Sequence, residues 1–273
     1  MEVGIVVRNM GNMSTKKMIT YCAEQAELAG LDHIWTVDHI AIPPEQSEGS
    51  EGRYLDALAT LAYLAGRTTT IKLGVSVLVL PYRPPLPTAK WIATIQELSS
   101  NRLILGVGPG WMEPEYKALG VEKKRRGKLT DIALNQIMSC FGSEDDIVTL
   151  NEQQFLFRPN PISPPIFVGG MTEKALERVV SFGSGWLPIG VDPTALQPKI
   201  ASLKKMLAAV DKKMPKIITI GDLPTNKNEA EDNLSMCREL GVTGYISSFK
   251  YTDEASFQKR VEDLRNIKKN LRM

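Results

Sequence analysis

Histidine and cysteine are the scarce residues of this sequence, two and three among 273. The thiols, Cys22, Cys140 and Cys237, are scattered through helical patterns and form no Cys-x-x-Cys. An odd, dispersed set argues against a disulfide framework and fits buried thiols in a reducing cytoplasm, the expected location. His33 and His39 do not make a zinc site, and no metal is expected. A dominant charge is missing as well. Lys plus Arg number 33 against 31 for Asp plus Glu, so nothing draws the chain toward nucleic acid or a membrane surface. The longest basic run, Lys123-Lys124-Arg125-Arg126, is short, follows a loop and reads as solvated surface. No apolar run reaches the ~20 residues that span a bilayer. Met1–Val7 has no basic stretch ahead of its apolar residues and reads as a first strand, not a signal peptide.

Several motifs are also missing. Arg8–Met13, after the first apolar run, is not a Gly-x-Gly-x-x-Gly turn, which argues against an open dinucleotide-binding sheet. There is no Walker motif and no Gly-x-Ser-x-Gly elbow. What is present is a regular alternation. Continuous apolar runs begin near Val3, His33, Ile71, Arg102, Ile166, Gly185, Lys216 and Val242, each followed by a helical pattern. Such runs mark parallel strands covered on both faces. Eight β/α units in this length predict a TIM barrel of the α/β class. No linker or low-complexity tract interrupts the rhythm, so 1–273 reads as one domain. Ser14 or Thr15 is expected to cap the first helix and Thr172 a later one.

In a barrel, chemistry gathers at the carboxyl ends of the strands. Those positions hold Asp38-His39, Ser76–Val79, Gly108–Trp111, Gly169-Gly170, Trp186, Gly221-Asp222 and Ser247-Ser248. Asp38 and His39 form a candidate acid–base pair, since imidazole moves protons near neutral pH; a structural histidine at a strand end is the alternative. Gly169-Gly170-Met171-Thr172 leads straight into a helix, where close backbone approach and free N–H groups suit a phosphate. Trp111, beside two glycines, reads as a pocket wall and Trp91 as core. Glu113 and Glu115 are available acids, though in a polar loop such carboxylates are usually solvated. The long loops Ile40–Tyr54, Met112–Arg126 and Ile147–Pro165 are expected to set substrate choice.

These residues are similar to a known family. Leu103–Trp111, with Glu115–Val121 and Arg126-Gly127, resembles the signature of the coenzyme F420-dependent branch of the luciferase-like monooxygenase superfamily. Pro164–Gly170 and Gly183–Pro188 resemble it too. The resemblance implies a luciferase-like TIM barrel with insertions on the C-terminal face. It implies an oxidoreductase that passes a hydride between the deazaflavin F420 and a carbonyl, alcohol or activated double bond. By the same resemblance Asp38 contacts the deazaflavin and His39 carries a proton. Ser76, Val77 and Val79 back the ring, with a non-prolyl cis peptide at Ser76-Val77. Gly108, Gly110 and Trp111 flank the cofactor, and Gly169, Gly170 and Met171 bind its phosphate. A sugar-phosphate dehydrogenase branch carries a glutamate at the position of Trp111; an indole cannot be an acid, which argues against that substrate. FMN in place of F420, in a monooxygenase, is the alternative, and a non-catalytic flavin-binding barrel another. A small-molecule substrate is expected, and family members suggest a homodimer.

Overall fold

The computed structural model describes residues 1–142, 145–190, 192–224 and 226–271. Eight parallel strands close into a barrel: β1 (Glu2–Val6), β2 (His33–Thr36), β3 (Lys72–Val79), β4 (Leu103–Gly108), β7 (Ile166–Gly169), β8 (Gly185–Leu187), β9 (Lys216–Gly221) and β10 (Gly244–Ser247). Around the ring each pairs with its sequence neighbour, and β10 returns to β1 with Glu2 opposite Gly244. An antiparallel hairpin of β5 (Ile147–Leu150) and β6 (Gln153–Leu156) lies outside the barrel, between β4 and β7.

The helices outside the ring follow from local chemistry. Helix α1 (Lys16–Leu28) is capped by Thr15, and α2 is Ala57–Ala65. Helix α3 (Pro85–Leu98) opens on prolines, tolerated where no N–H is needed. Then come α4 (Glu113–Ala118), α5 (Arg126–Ser139) and α6 (Glu173–Phe182), the last capped by Thr172. Helices α7 (Pro193–Ala208), α8 (Lys227–Glu239) and α9 (Glu254–Asn270) complete the ring, α9 with an Asp253/Ser256 capping box.

Two layers of apolar side chains hold this together. Inward-facing Val6, Trp35, Ile104, Phe167, Ile218 and Ile246 fill the barrel. Glycines make room for the largest: a Cβ at Gly74 would lie 2.4 Å from the Trp35 ring, and one at Gly185 2.2 Å from Phe167. Between strands and helices lies the larger core, in which each fully buried Leu or Ile contributes roughly 1.5–3 kcal/mol. Two tryptophans exchange their expected places. Trp91 is 48% exposed on the outer stripe of α3, whereas Trp186 is fully buried between β8 and the helices.

Candidate active site

The site begins where β3 loses register with β4. Val75 faces Leu105 and Leu78 faces Val107, three steps against two, so the strand bulges at Ser76-Val77. That peptide is cis. The bulge sets Val77 between two glycines. A Cβ at Gly108 would lie 2.8 Å from one Val77 methyl, and one at Gly169 2.6 Å from the other. Gly110 has φ +68°, and a Cβ there would meet Val79 at 2.6 Å. Above this floor opens a cleft of about 1290 Å³ at the carboxyl ends of the strands. Ser76, Val77, Gly110, Trp111, Gly169 and Gly170 line it.

One wall is cationic. Lys124, Arg126 and Lys128, at the entry of α5, face Lys174 and Arg178 of α6, with Asp131 and Glu177 among them. Asp131 takes the Arg178 guanidinium at 2.6 Å, and Glu177 takes Lys174 at 2.7 Å. The basic run is solvated as expected at Lys124 and Arg125, and Lys124 and Arg126 also line the cleft. The diglycine turn is itself anchored. Gly170 donates its N–H to the Leu187 carbonyl at 3.3 Å and accepts from the Trp186 indole at 2.8 Å. The positive end of α6 then opens on the cleft at Thr172.

Asp38 and His39 are not among the residues that line the cleft, and neighbours in sequence do different work. The Asp38 carboxylate is fully buried. It accepts both Arg83 nitrogens at 2.7 Å and the Val79 N–H at 2.9 Å. Arg83 also reaches Asp56 at 2.9 Å. His39 is 21% exposed and its Nδ1 lies 2.9 Å from Glu115. Its ring meets the edges of Tyr54 and Trp111, with centroids 5.1 and 6.4 Å away. Trp111, itself 66% exposed, thus touches the imidazole and also lines the cleft.

Glu115 is fully buried, not solvated as its loop suggested. Three donors surround it, the backbone N–H groups of Ile40 (2.6 Å) and Ala41 (3.0 Å) and the Tyr82 hydroxyl (2.9 Å), and the His39 Nδ1 lies beside the same oxygen as Tyr82. Burial pushes its carboxyl up, and these hydrogen bonds outweigh that and hold it down at about 2. Burial and the Glu115 carboxylate push the Tyr82 phenol up, so it stays a donor. Arg83 is the residue that sequence reasoning missed here, and for Glu115, a candidate acid, it missed the burial. Met112, Tyr116 and Leu119 recur at i, i+4 and i+7, and Glu115 at i+3 shares their buried side. That spacing was the available signal.

Of the residues expected at the site, Ser76, Val77, Gly110, Trp111, Gly169 and Gly170 share the cleft. Gly108 and Val79 support its floor from below. Met171 packs against the core. Among the described residues, no group of three or more His, Cys, Asp or Glu could hold a metal ion. No described helix is long and apolar enough to cross a membrane.

A closed ring of eight parallel strands, with a bulged third strand and a glycine-floored cleft at the carboxyl ends, is the TIM-barrel form of an active site. The chain belongs to the luciferase-like monooxygenase family, whose model matches residues 1–272. An uncharacterized protein of Mycobacterium tuberculosis is 28% identical over 272 residues, 91% of this chain and 92% of that one. The 5,10-methylenetetrahydromethanopterin reductase of Methanolobus tindarius is 29% identical over 175 residues, 62% of this chain and 49% of that one. Among solved structures, the monooxygenase RslO1 from Streptomyces bottropensis superimposes with a TM-score of 0.82 at 15% identity over the whole of both chains. The coenzyme F420-dependent tetrahydromethanopterin reductase from Methanopyrus kandleri gives 0.71 at 14% identity, over 97% of each. The chain is therefore a member of an oxidoreductase family.

Proposed function

We propose that this protein is an oxidoreductase that uses coenzyme F420 to move a hydride to or from a small carbonyl, alcohol or activated double bond. One observation carries the choice of cofactor: five cations against two carboxylates line the wall beside the glycine floor. F420 is a deazaflavin with a phosphodiester and a glutamate tail, a longer anion than the single phosphate of FMN. The residues fit such a group. Gly108, Gly110 and Gly169 keep side chains off the floor. Lys124, Arg126, Lys128 and the α6 terminus offer charge where the tail would run. When bound, the deazaflavin supplies a two-electron hydride donor or acceptor. The chain's own residues do the rest. Ser76-Val77 backs the ring, Trp111 screens the cleft from water, and His39 gives or takes the proton.

The test is titration with F420 and with FMN separately, followed by fluorescence. F420 should bind more tightly, and Arg126→Ala should weaken it roughly tenfold or more while touching FMN less. Equal affinities, or a preference for FMN, would support an FMN monooxygenase instead. Tight binding without any substrate-dependent redox change would leave a flavin-binding barrel.

His39 makes a second test. His39→Ala should cut turnover about 10²-fold, the usual scale for a lost proton carrier, with cofactor affinity within a few-fold of wild type. Equal loss of both would remove His39 from that role.

A further inference from the structure

We propose that Glu115 is the positioning residue for His39. It holds the imidazole with Nδ1 as the donor, so that Nε2 is the nitrogen that exchanges protons. This rests on the reading of His39 as the proton carrier, but its geometry stands without any cofactor. A buried ionised carboxylate only accepts hydrogen bonds. Its two oxygens offer about four lone-pair sites: Ile40 and Ala41 take those of Oε1, Tyr82 takes one on Oε2, and the last faces the His39 ring. The His39 Nδ1, 2.9 Å away, must then be a donor. The same carboxylate holds Ile40 and Ala41, the first residues of the loop that runs to Tyr54. Loop entry and imidazole tautomer therefore share one anchor. The other titratable groups around His39 are Tyr54, against its ring, and Tyr82, on the far side of Glu115; Asp38 is taken up by Arg83.

The scarcity of histidine makes this readable. His33, the other imidazole, has the opposite arrangement: its Nδ1 accepts from the Trp35 indole at 2.7 Å, which makes it the Nε2–H tautomer. Protein labelled with 15N-histidine and free of cofactor should show, by long-range 1H–15N correlation, a proton on Nδ1 of His39 and none on Nδ1 of His33. In Glu115→Gln, the amide keeps an oxygen toward Ile40 and Ala41 and turns its NH2 toward His39. His39 should then switch to the Nε2–H form while His33 stays unchanged. Glu115→Asp, which keeps an acceptor-only group, should return His39 toward Nδ1–H and recover part of the turnover that Glu115→Gln loses. A wild-type His39 in the Nε2–H form or averaging between forms would overturn the proposal, as would a Glu115→Gln spectrum like that of wild type. Should Glu115→Gln fail to fold, the wild-type spectrum alone still decides. Failure to bind F420 would sink the cofactor assignment and leave these spectra as they are, so the two readings fail separately.

Discussion

Asp38→Ala should destabilise the folded chain by about 3–5 kcal/mol, the usual scale for breaking a buried ion pair from one side. The Asp38 carboxylate is wholly buried, and the Arg83 side chain is only 15% exposed. The pair is bidentate, with both contacts at 2.7 Å, the strong geometry for guanidinium and carboxylate. Truncation leaves Arg83 with Asp56 alone, and Asp56 is 47% exposed. It also orphans the Val79 N–H, which Asp38 holds just past the bulge that floors the cleft. Asp38→Asn keeps an acceptor for Val79 but loses the charge pairing, so it should fall between. The family resemblance assigns Asp38 a contact with the deazaflavin, and the two roles separate experimentally. As a strut, Asp38→Ala lowers the urea midpoint in the absence of cofactor. As a pure ligand contact, it would leave the unfolding free energy within about 1 kcal/mol of wild type and weaken only binding. Urea unfolding of the cofactor-free protein therefore decides.

Asp38 also marks the boundary of what a single chain of letters reveals. The barrel was legible because strands buried on both faces are apolar runs and the helices between them carry their own caps, as at Thr15 and Thr172. Glycine positions were legible for a related reason: Gly108, Gly110 and Gly169 stand where no side chain fits. The partners of the polar residues were hidden. Arg83 sits in a proline-rich stretch that shows no sign of facing Asp38, 45 residues earlier. Arg178 meets Asp131 across 47 residues, so the cationic wall exists only once α5 and α6 are docked. Glu115 was masked differently. It borders a polar turn, yet a single helical turn of α4 carries it inward beside Tyr116. Composition reports how polar a segment is; it does not report which of its carboxylates the fold encloses.

Above the carboxylate range, the largest pH effect should come from the opposite end of the barrel. Stability should fall by about 3 kcal/mol as the pH drops from 6.5 to 4, through His33. That imidazole is fully buried at the start of β2. Its Nδ1 accepts from Trp35, and its Nε2 has no hydrogen-bond partner, with the nearest carboxylate oxygen, on Glu2, 4.0 Å away. Gly4 packs so closely that a Cβ there would lie 1.8 Å from the ring, so no room is left for solvating a charge. Burial accordingly pushes the His33 imidazole down from 6.5 to about 4. The unfolded chain takes up this proton near pH 6.5, whereas the folded chain resists it until about pH 4. Between those values the unfolded state holds more protons, so stability rises with pH and is lost on acidification. The Glu2 carboxyl, held below its usual 4.5 by Lys216 and Lys72 against the opposing effect of burial, adds its own loss only at lower pH. The upper part of the window therefore isolates His33. His33→Gln keeps an oxygen to accept from Trp35 and cannot be protonated. Denaturant midpoints measured between pH 7 and 4.5 should decline steeply in wild type and stay nearly flat in His33→Gln. Parallel slopes for the two proteins would show that the proton enters elsewhere.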